Sequence, residues 1–319
     1  LQAVAGFFAQ SISAADAILS KGFIALRVFM VMPLHLVGYA YGQAAGDPGC
    51  ADGPDVFKKS SWFKKLTNEQ KNIIWDTTFY PQSFLDKYAD TRVMCQRLAL
   101  KIQELTKVGN RFITIGGDHS SAIGTWSGVY HAAYSQGPLG LIWIDAHMDS
   151  HTTQTSPSGN IHGMPLAVLL GYGEPALAQL MQPVAKLSPQ HVCLIGIRSF
   201  ESGEAKLLER LKVRIFYMEE VKQRGLAAVF AEALSIVRQN TAGFGVSIDL
   251  DGLDPSEAPG VGTPEASGLS ASKLCLALSE IRDDQKFLGA EIVEFNPHHD
   301  KSHKTEEVIY QLICAMNMR

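Results

Sequence analysis

From Phe29 to the C-terminus, short runs of β-branched and aliphatic residues alternate with longer stretches of helical periodicity. A chain patterned this way buries both kinds of segment by laying parallel strands side by side and covering the sheet with helices. Strands are expected at Leu34–Gly38, Asn72–Trp75, Arg111–Ile115, Leu139–Ile144, His191–Ile197, Val213–Tyr217, Phe244–Leu250 and Phe287–Glu294. Helices are expected at Pro81–Lys107, Ser120–Ser135, His162–Leu170, Gly203–Leu211, Leu226–Gln239, Ala271–Arg282 and Thr305–Met316. In the first of these, Leu85, Tyr88, Leu98, Ile102 and Leu105 share one face, and Gly109-Asn110 supplies a stop. No linker, composition shift or internal repeat interrupts the pattern. One α/β domain over residues 29–319 is therefore expected, with residues 1–28 as a helical extension of no assigned role.

Charge and composition exclude several classes of partner. Lys and Arg number 28 against 32 Asp and Glu, a formal charge of -4, and no basic stripe points to nucleic acid. The uncharged run Phe29 to Gly46 contains Pro33 and His35 and dissolves into glycine, which suits a buried strand and loop rather than a membrane span. Residues 1–28 are apolar and Ala/Ser-rich but lack a basic stretch, a weak match to a signal peptide. Five scattered cysteines form no CxxC, so a reducing, cytoplasmic setting is the simpler expectation.

Ligands of open α/β sheets bind outside the carboxyl ends of the strands. Three expected strand ends concentrate carboxylates and imidazoles: Gly116-Gly117-Asp118-His119-Ser120, Asp145-Ala146-His147-Met148-Asp149, and Asp249-Leu250-Asp251-Gly252-Leu253-Asp254-Pro255. Residues two apart in extended chain project to the same side, so Asp145, His147 and Asp149 should converge, as should Asp249 and Asp251. Each set follows an apolar run, Leu-Ile-Trp-Ile or Gly-Val-Ser-Ile, where ionised carboxylates are costly unless positive charge meets them. Few Lys or Arg stand near, which makes a bound cation the expected partner. Two imidazoles and four carboxylates without a thiolate form a hard donor set, better suited to Mn²⁺ than to structural Zn²⁺. The four carboxylate charges match two divalent ions, which in two-metal sites lie about 3.5–4 Å apart. Any one of these residues could be a core histidine or a helix cap, but caps do not require paired Asp on separate strands.

These motifs, with Ser158-Gly159-Asn160-Ile161-His162-Gly163, Glu294-Phe295-Asn296-Pro297, the Pro48-Gly49-Cys50 to Gly53-Pro54 loop and the Gly262-Thr263-Pro264 turn, resemble the ureohydrolase family, its arginase branch more than its agmatinase branch. The resemblance runs from about Gly42 to the C-terminus. It implies a single three-layer α/β domain around an eight-stranded parallel sheet, two Mn²⁺ per subunit, and hydrolysis of a guanidino compound to urea and an amine. By the same resemblance one metal is held by His119, Asp145, Asp149 and Asp249, and the other by Asp145, His147, Asp249 and Asp251. A water bridging two such ions loses its proton near neutral pH and serves as nucleophile. His162 matches the family's proton shuttle, and an imidazole of ordinary pKa near 6.5 suits that task. Glu294 matches the carboxylate that pairs with the guanidinium, Thr263 lies near the same pocket, and Asp118 matches a group that orients a metal ligand. Ser120 reads as a helix N-cap rather than a nucleophile.

The loop from Ser156 to Asn160, including Ser158, resembles the arginase segment that contacts a substrate α-carboxylate, and Glu201 and Glu204 match the acids that meet an α-amino group. L-Arginine is thus the implied substrate, with agmatine or guanidinobutyrate as the alternative. Two departures bear on affinity and selectivity: His151 stands where vertebrate-type members have Asn, and Glu201 where they have Asp. A homo-oligomer, trimer or hexamer, is implied as well. A binuclear phosphoesterase would need an Arg/Lys cluster and would be repelled by Glu294. A catalytically silent metal-binding regulator is the remaining alternative, opposed by the intact ligand set and His162.

Overall fold

The computed structural model describes residues 33–82 and 86–317. The expected N-terminal extension, residues 1–28, and the expected helical contact Leu85 lie outside the described residues. The strands are β1 (Leu34–Tyr39), β2 (Ile73–Phe79), β3 (Arg111–Gly116), β4 (Leu139–Ile144), β5 (Val192–Ile197), β6 (Arg214–Tyr217), β7 (Gly243–Asp249) and β8 (Phe287–Val293). They form one eight-stranded sheet in the order β2-β1-β3-β8-β7-β4-β5-β6, every pair parallel.

Helices on the described chain are α1 (Gly53–Lys59), α2 (Ser61–Glu69), α3 (Lys87–Lys107), α4 (Ser121–Ala133), α5 (Pro165–Leu169), α6 (Pro175–Ala178), α7 (Ser202–Leu211), α8 (Met218–Arg224), α9 (Leu226–Arg238), α10 (Ala271–Ser279) and α11 (Lys304–Met316). Strand alternation divides the core between two faces. In β4, Leu139, Leu141 and Trp143 pack with α3, α4 and α5, while Ile142 and Ile144 pack with α9, α10 and α11. Each fully buried large side chain contributes about 1.5–3 kcal/mol, which is why both faces must be covered.

The expected strands are all present, with ends shifted by a few residues. The largest difference is β2, which continues to Phe79 through Asp76-Thr77-Thr78; it is an edge strand, half exposed, and needs no apolar pattern there. Helix α3 begins at Lys87 rather than Pro81 because the Asp86 carboxylate accepts from Tyr88 N and Ala89 N and caps it. The expected helix from His162 is a short turn at Ile161–Gly163 followed by α5. Short helices α1, α2, α6 and α8 were not expected from the periodicity.

The strand order places the site. From β4 the chain moves outward through β5 to β6, and from β7 it moves the other way to β8. Connections therefore leave β4 and β7 in opposite directions, opening a crevice above their carboxyl ends in mid-sheet.

Candidate metal centre and active site

His119 follows β3 and its Nδ1 faces three carboxylates: Asp149 Oδ2 at 2.9 Å, Asp249 Oδ2 at 3.0 Å and Asp145 Oδ2 at 3.5 Å. His147 Nδ1 lies 3.2 Å from Asp251 Oδ2 and 3.6 Å from Asp145 Oδ1. Two clusters capable of holding a cation result, His119/Asp145/Asp149/Asp249 and Asp145/His147/Asp251, sharing Asp145. Asp249, expected in both, groups with the first, and its Oδ1 accepts from Asp251 N of the second at 2.9 Å.

Convergence comes about differently from the extended alternation expected. β4 ends at Ile144, and Asp149 adopts a left-handed backbone with φ +46°, which returns its carboxylate to His119 while His147 faces the other cluster. A non-glycine residue held there costs on the order of 1–3 kcal/mol and is kept only where its surroundings over-determine it. Asp249 ends β7, and Asp251 sits in the following turn, its N–H donating to Asp249 Oδ1 at 2.9 Å.

Arg198 stands closer than the sequence suggested. Its guanidinium donates to the carbonyls of Gly196, Asp251, Gly252, Leu253, Glu265 and Ala266, clamping the Asp251 turn rather than pairing with the carboxylates. Among the described residues no Lys or Arg hydrogen-bonds these carboxylates; their direct cationic partners are the imidazoles, with the Arg198 charge nearby. Burial alone would push Asp145 up, but His119 and His147 hold it below the usual carboxylate range. Burial pushes Asp249 well up, with Asp251 and Asp145 adding to it, and Asp149 is pushed up to about 6 by burial and Asp145. Three buried carboxylate oxygens around one ring nitrogen, which could offer them at most one proton, are a donor set built for a cation, and its hard oxygen and imidazole atoms fit Mn²⁺.

Behind His119 lies a second layer that sequence reading missed. His119 Nε2 is 2.9 Å from Ser247 Oγ, which donates to Glu291 Oε1 at 2.7 Å. The hydroxyl's one proton is spent on Glu291, so it accepts from Nε2–H and leaves the Nδ1 lone pair facing the carboxylates. Trp126 Nε1 also donates to Glu291 Oε1 at 2.6 Å, and Trp143 stacks on His119 at 4.3 Å while donating to Asp145 Oδ2 at 2.9 Å. Gly245 makes room for this layer, since a Cβ there would lie 2.0 Å from Trp126 Cζ3. A carboxylate in the middle of the apolar run Phe287–Val293 was the signal available in the sequence.

Glu294, just past β8 and also left-handed with φ +64°, accepts at Oε1 from His119 N at 2.8 Å and pairs there with His162 Nδ1 at 3.0 Å. Burial alone would lower the His162 pKa, but the Glu294 charge outweighs it and raises it to about 9, well above the ordinary value expected for a shuttle. Among the described residues no hydrogen bond joins the Asp118 carboxylate to the side chain of a candidate metal ligand. It accepts from Ala44 N at 2.9 Å and from Ser120 N and Oγ, tying the loop after β1 to the β3 end. Ser120 stands at the N-cap of α4 but spends its hydroxyl on Asp118 rather than on a helix N–H.

A cavity of about 270 Å³ opens over this floor, lined by His147, Asp149, His162, Asp249, Asp251 and Thr263 below and by His151, Ser156, Ser158, Asn160, Glu201 and Glu204 above. Thr263 Oγ1 donates to Asp251 Oδ2 at 2.8 Å. Glu204, at the first turn of α7, accepts from Ser150 N at 3.2 Å and Glu201 N at 3.1 Å; burial, then the nearby Asp149 charge, push it up to about 8. All the site residues named from the sequence thus meet in one cavity or directly behind it.

A sequence model described as the arginase family matches residues 32–318. The chain belongs to the arginase family. Arginase of Bacillus caldovelox is 44% identical over 294 residues, covering 89% of this chain and 97% of its own. The crystal structure of arginase from Bacillus cereus superposes with TM-score 0.83 at 32% identity over 90% of this chain and 99% of that one. Entamoeba histolytica arginase, solved in complex with L-ornithine, superposes with TM-score 0.81 at 29% identity, over 89% of this chain and 98% of that one. The arginase-family members share this single parallel sheet flanked by helices, and the family makes the chain a hydrolase acting on guanidino groups.

Proposed function

We propose that this chain hydrolyses L-arginine to L-ornithine and urea with two Mn²⁺. One ion would be held by His119, Asp145, Asp149 and Asp249, the other by Asp145, His147 and Asp251 with Asp249 alongside. The reading is carried by two buried His/Asp clusters on the floor of a cavity that has His162 on its wall and Glu201, Glu204, Ser158 and Asn160 at its mouth. When bound, such ions supply an acidified water and charge that stabilises a tetrahedral carbon.

The chain's own residues do the remaining work. Glu294 Oε1 is fixed by His119 N and His162, and Oε2, which accepts no hydrogen bond among the described residues, is the acceptor for guanidinium N–H groups. Asp149, on the cavity floor, accepts the proton released when water adds to the guanidinium carbon. His162, raised to about 9, carries a proton at neutral pH and delivers it from its ring to the side-chain nitrogen as the C–N bond breaks. The amine leaves neutral as the C–N bond breaks, the remaining hydroxyl proton of the former water passes to it as that oxygen becomes the urea carbonyl, and the proton held at Asp149 returns His162 to its protonated state. Ser158 and Asn160 line the cavity mouth toward the α-carboxylate, beside Glu201 and Glu204.

A homo-oligomer, trimer or hexamer, is the assembly proposed, and light scattering on a sizing column tests it. Five unpaired thiols favour a reducing, cytoplasmic setting, and no helix among the described residues is long and apolar enough to cross a membrane. The deciding experiment is urea release from arginine, agmatine, 4-guanidinobutyrate and formiminoglutamate by metal-depleted and Mn²⁺-loaded protein. Urea from agmatine but not arginine would redirect the substrate; no urea from any would refute the reaction.

A further inference from the structure

The acids at the cavity mouth already accept from donors of the chain itself. The His151 side chain, only 7% exposed, places Nε2 at 3.0 Å from Glu201 Oε2 and 3.5 Å from Glu204 Oε2. Its Nδ1 pairs with Thr155 Oγ1 at 3.1 Å. Glu204 is held further by Ser150 N at Oε1 and Glu201 N at Oε2. Donors of the chain itself therefore engage both oxygens of Glu204 and one oxygen of Glu201. An ammonium group brings three donors and no acceptor, so it binds well only where acceptors stand open. What remains for it is the outer oxygen of Glu201, whose side chain is 61% exposed, and a solvated pair of that kind contributes little.

The same geometry changes what a carboxylate meets. Both His151 nitrogens are committed, so this side chain offers no donor to an α-carboxylate, but its imidazole stands between the two glutamates and the cavity. An anionic substrate tail is thereby shielded from like charge, with Ser158 and Asn160 lining the same cavity.

We infer that His151 determines specificity in this site by occupying Glu201 and Glu204 in place of an ammonium group. The enzyme then reads the guanidinium and the carboxylate end and is nearly indifferent to the α-amino group. Its substrate class is ω-guanidino acids, so 4-guanidinobutyrate is hydrolysed with an efficiency close to that of L-arginine. This rests on the guanidino-hydrolase reading above.

The test is kcat/KM for both compounds with Mn²⁺-loaded wild type, His151→Asn, Glu201→Gln and the double variant. In wild type the two substrates should agree within about tenfold, and Glu201→Gln should leave the ratio of their kcat/KM values within about threefold of the wild-type ratio. His151→Asn should raise the preference for arginine by about tenfold or more, through KM rather than kcat, and Glu201→Gln should then cost about tenfold in that background. A wild-type preference for arginine of about a hundredfold, or its loss in Glu201→Gln alone, would overturn the inference. If His151→Asn does not fold, the wild-type ratio and the Glu201→Gln variant decide the matter. Urea from neither compound in wild type refutes the reaction reading, and the inference with it.

Discussion

Replacing Ser247 by alanine removes one oxygen atom that accepts from His119 Nε2 at 2.9 Å and donates to Glu291 Oε1 at 2.7 Å, all three side chains being fully buried. The His119 ring then has an N–H with no acceptor, at a cost of about 1–3 kcal/mol for an unsatisfied buried donor. Nothing then holds the proton on Nε2, and with the proton on Nδ1 the ring competes with a cation for the carboxylates of Asp149 and Asp249. At 1.4 kcal/mol per factor of ten, Mn²⁺ affinity at the His119 cluster should fall about 10–100-fold. The His147 cluster does not rest on Ser247, its outer ring nitrogen facing Glu265 Oε1 at 3.9 Å, and should change by less than about threefold. Titration of metal-depleted protein, followed by the electron paramagnetic resonance signal of free Mn²⁺, should therefore show a binding curve that splits into a retained tight site and a weakened one. Equal weakening of both sites, or of neither, would refute the role given to Ser247. Thermal melting of the metal-free variant separates this effect from general loss of structure.

Glu291→Gln should weaken the same site in the same titration, because an amide cannot accept from Ser247 and Trp126 as strongly as a carboxylate does. Gly245→Ala should cost about 1–3 kcal/mol in urea denaturation, since a Cβ 2.0 Å from Trp126 forces that ring off Glu291; an unchanged midpoint would show the strand yielding instead. Glu294→Gln should lower kcat/KM about a hundredfold or more while leaving Mn²⁺ stoichiometry intact. His162 is raised from 6.5 to about 9, so its pairing with Glu294 stabilises the metal-free fold fully below pH 6.5 and is lost as pH rises through about 9. Wild type and His162→Gln should accordingly differ in denaturant midpoint at about pH 6 and converge near pH 10, and a gap independent of pH would contradict the pairing.

The strands were legible because their interiors are buried on both faces, so apolar runs such as Leu139–Ile144 report them directly. Where burial fails, so does the signal: β2 runs past its apolar start because backbone pairing with β1, not side-chain burial, continues it to Phe79. The strand-end Asp and His residues were legible because carboxylates after apolar runs have few structural explanations. What the sequence could not convey was conformation at single residues. The left-handed backbones of Asp149 and Glu294 aim the two side chains, and neither residue type announces that geometry. The capture of Glu204 by donors from Ser150, His151 and Glu201 joins two loops distant in sequence, and periodicity carries no trace of it.

The sheet order also governs how the protein can be assembled. β2-β1-β3 and β4-β5-β6 are each contiguous in space and complete in sequence before β7 begins, yet in the sheet their backbones are joined only through β8 and β7, the last of the described strands to be synthesised. Until residues 243–293 emerge, the chain is two half-sheets, each with an unpaired inner edge open to another molecule. His119 stands on one half, Asp145, His147 and Asp149 on the other, and Asp249 arrives with the strands that join them. Tight cation binding is thus available only to a chain translated through its last strand, and a metal-loaded molecule certifies its own completeness.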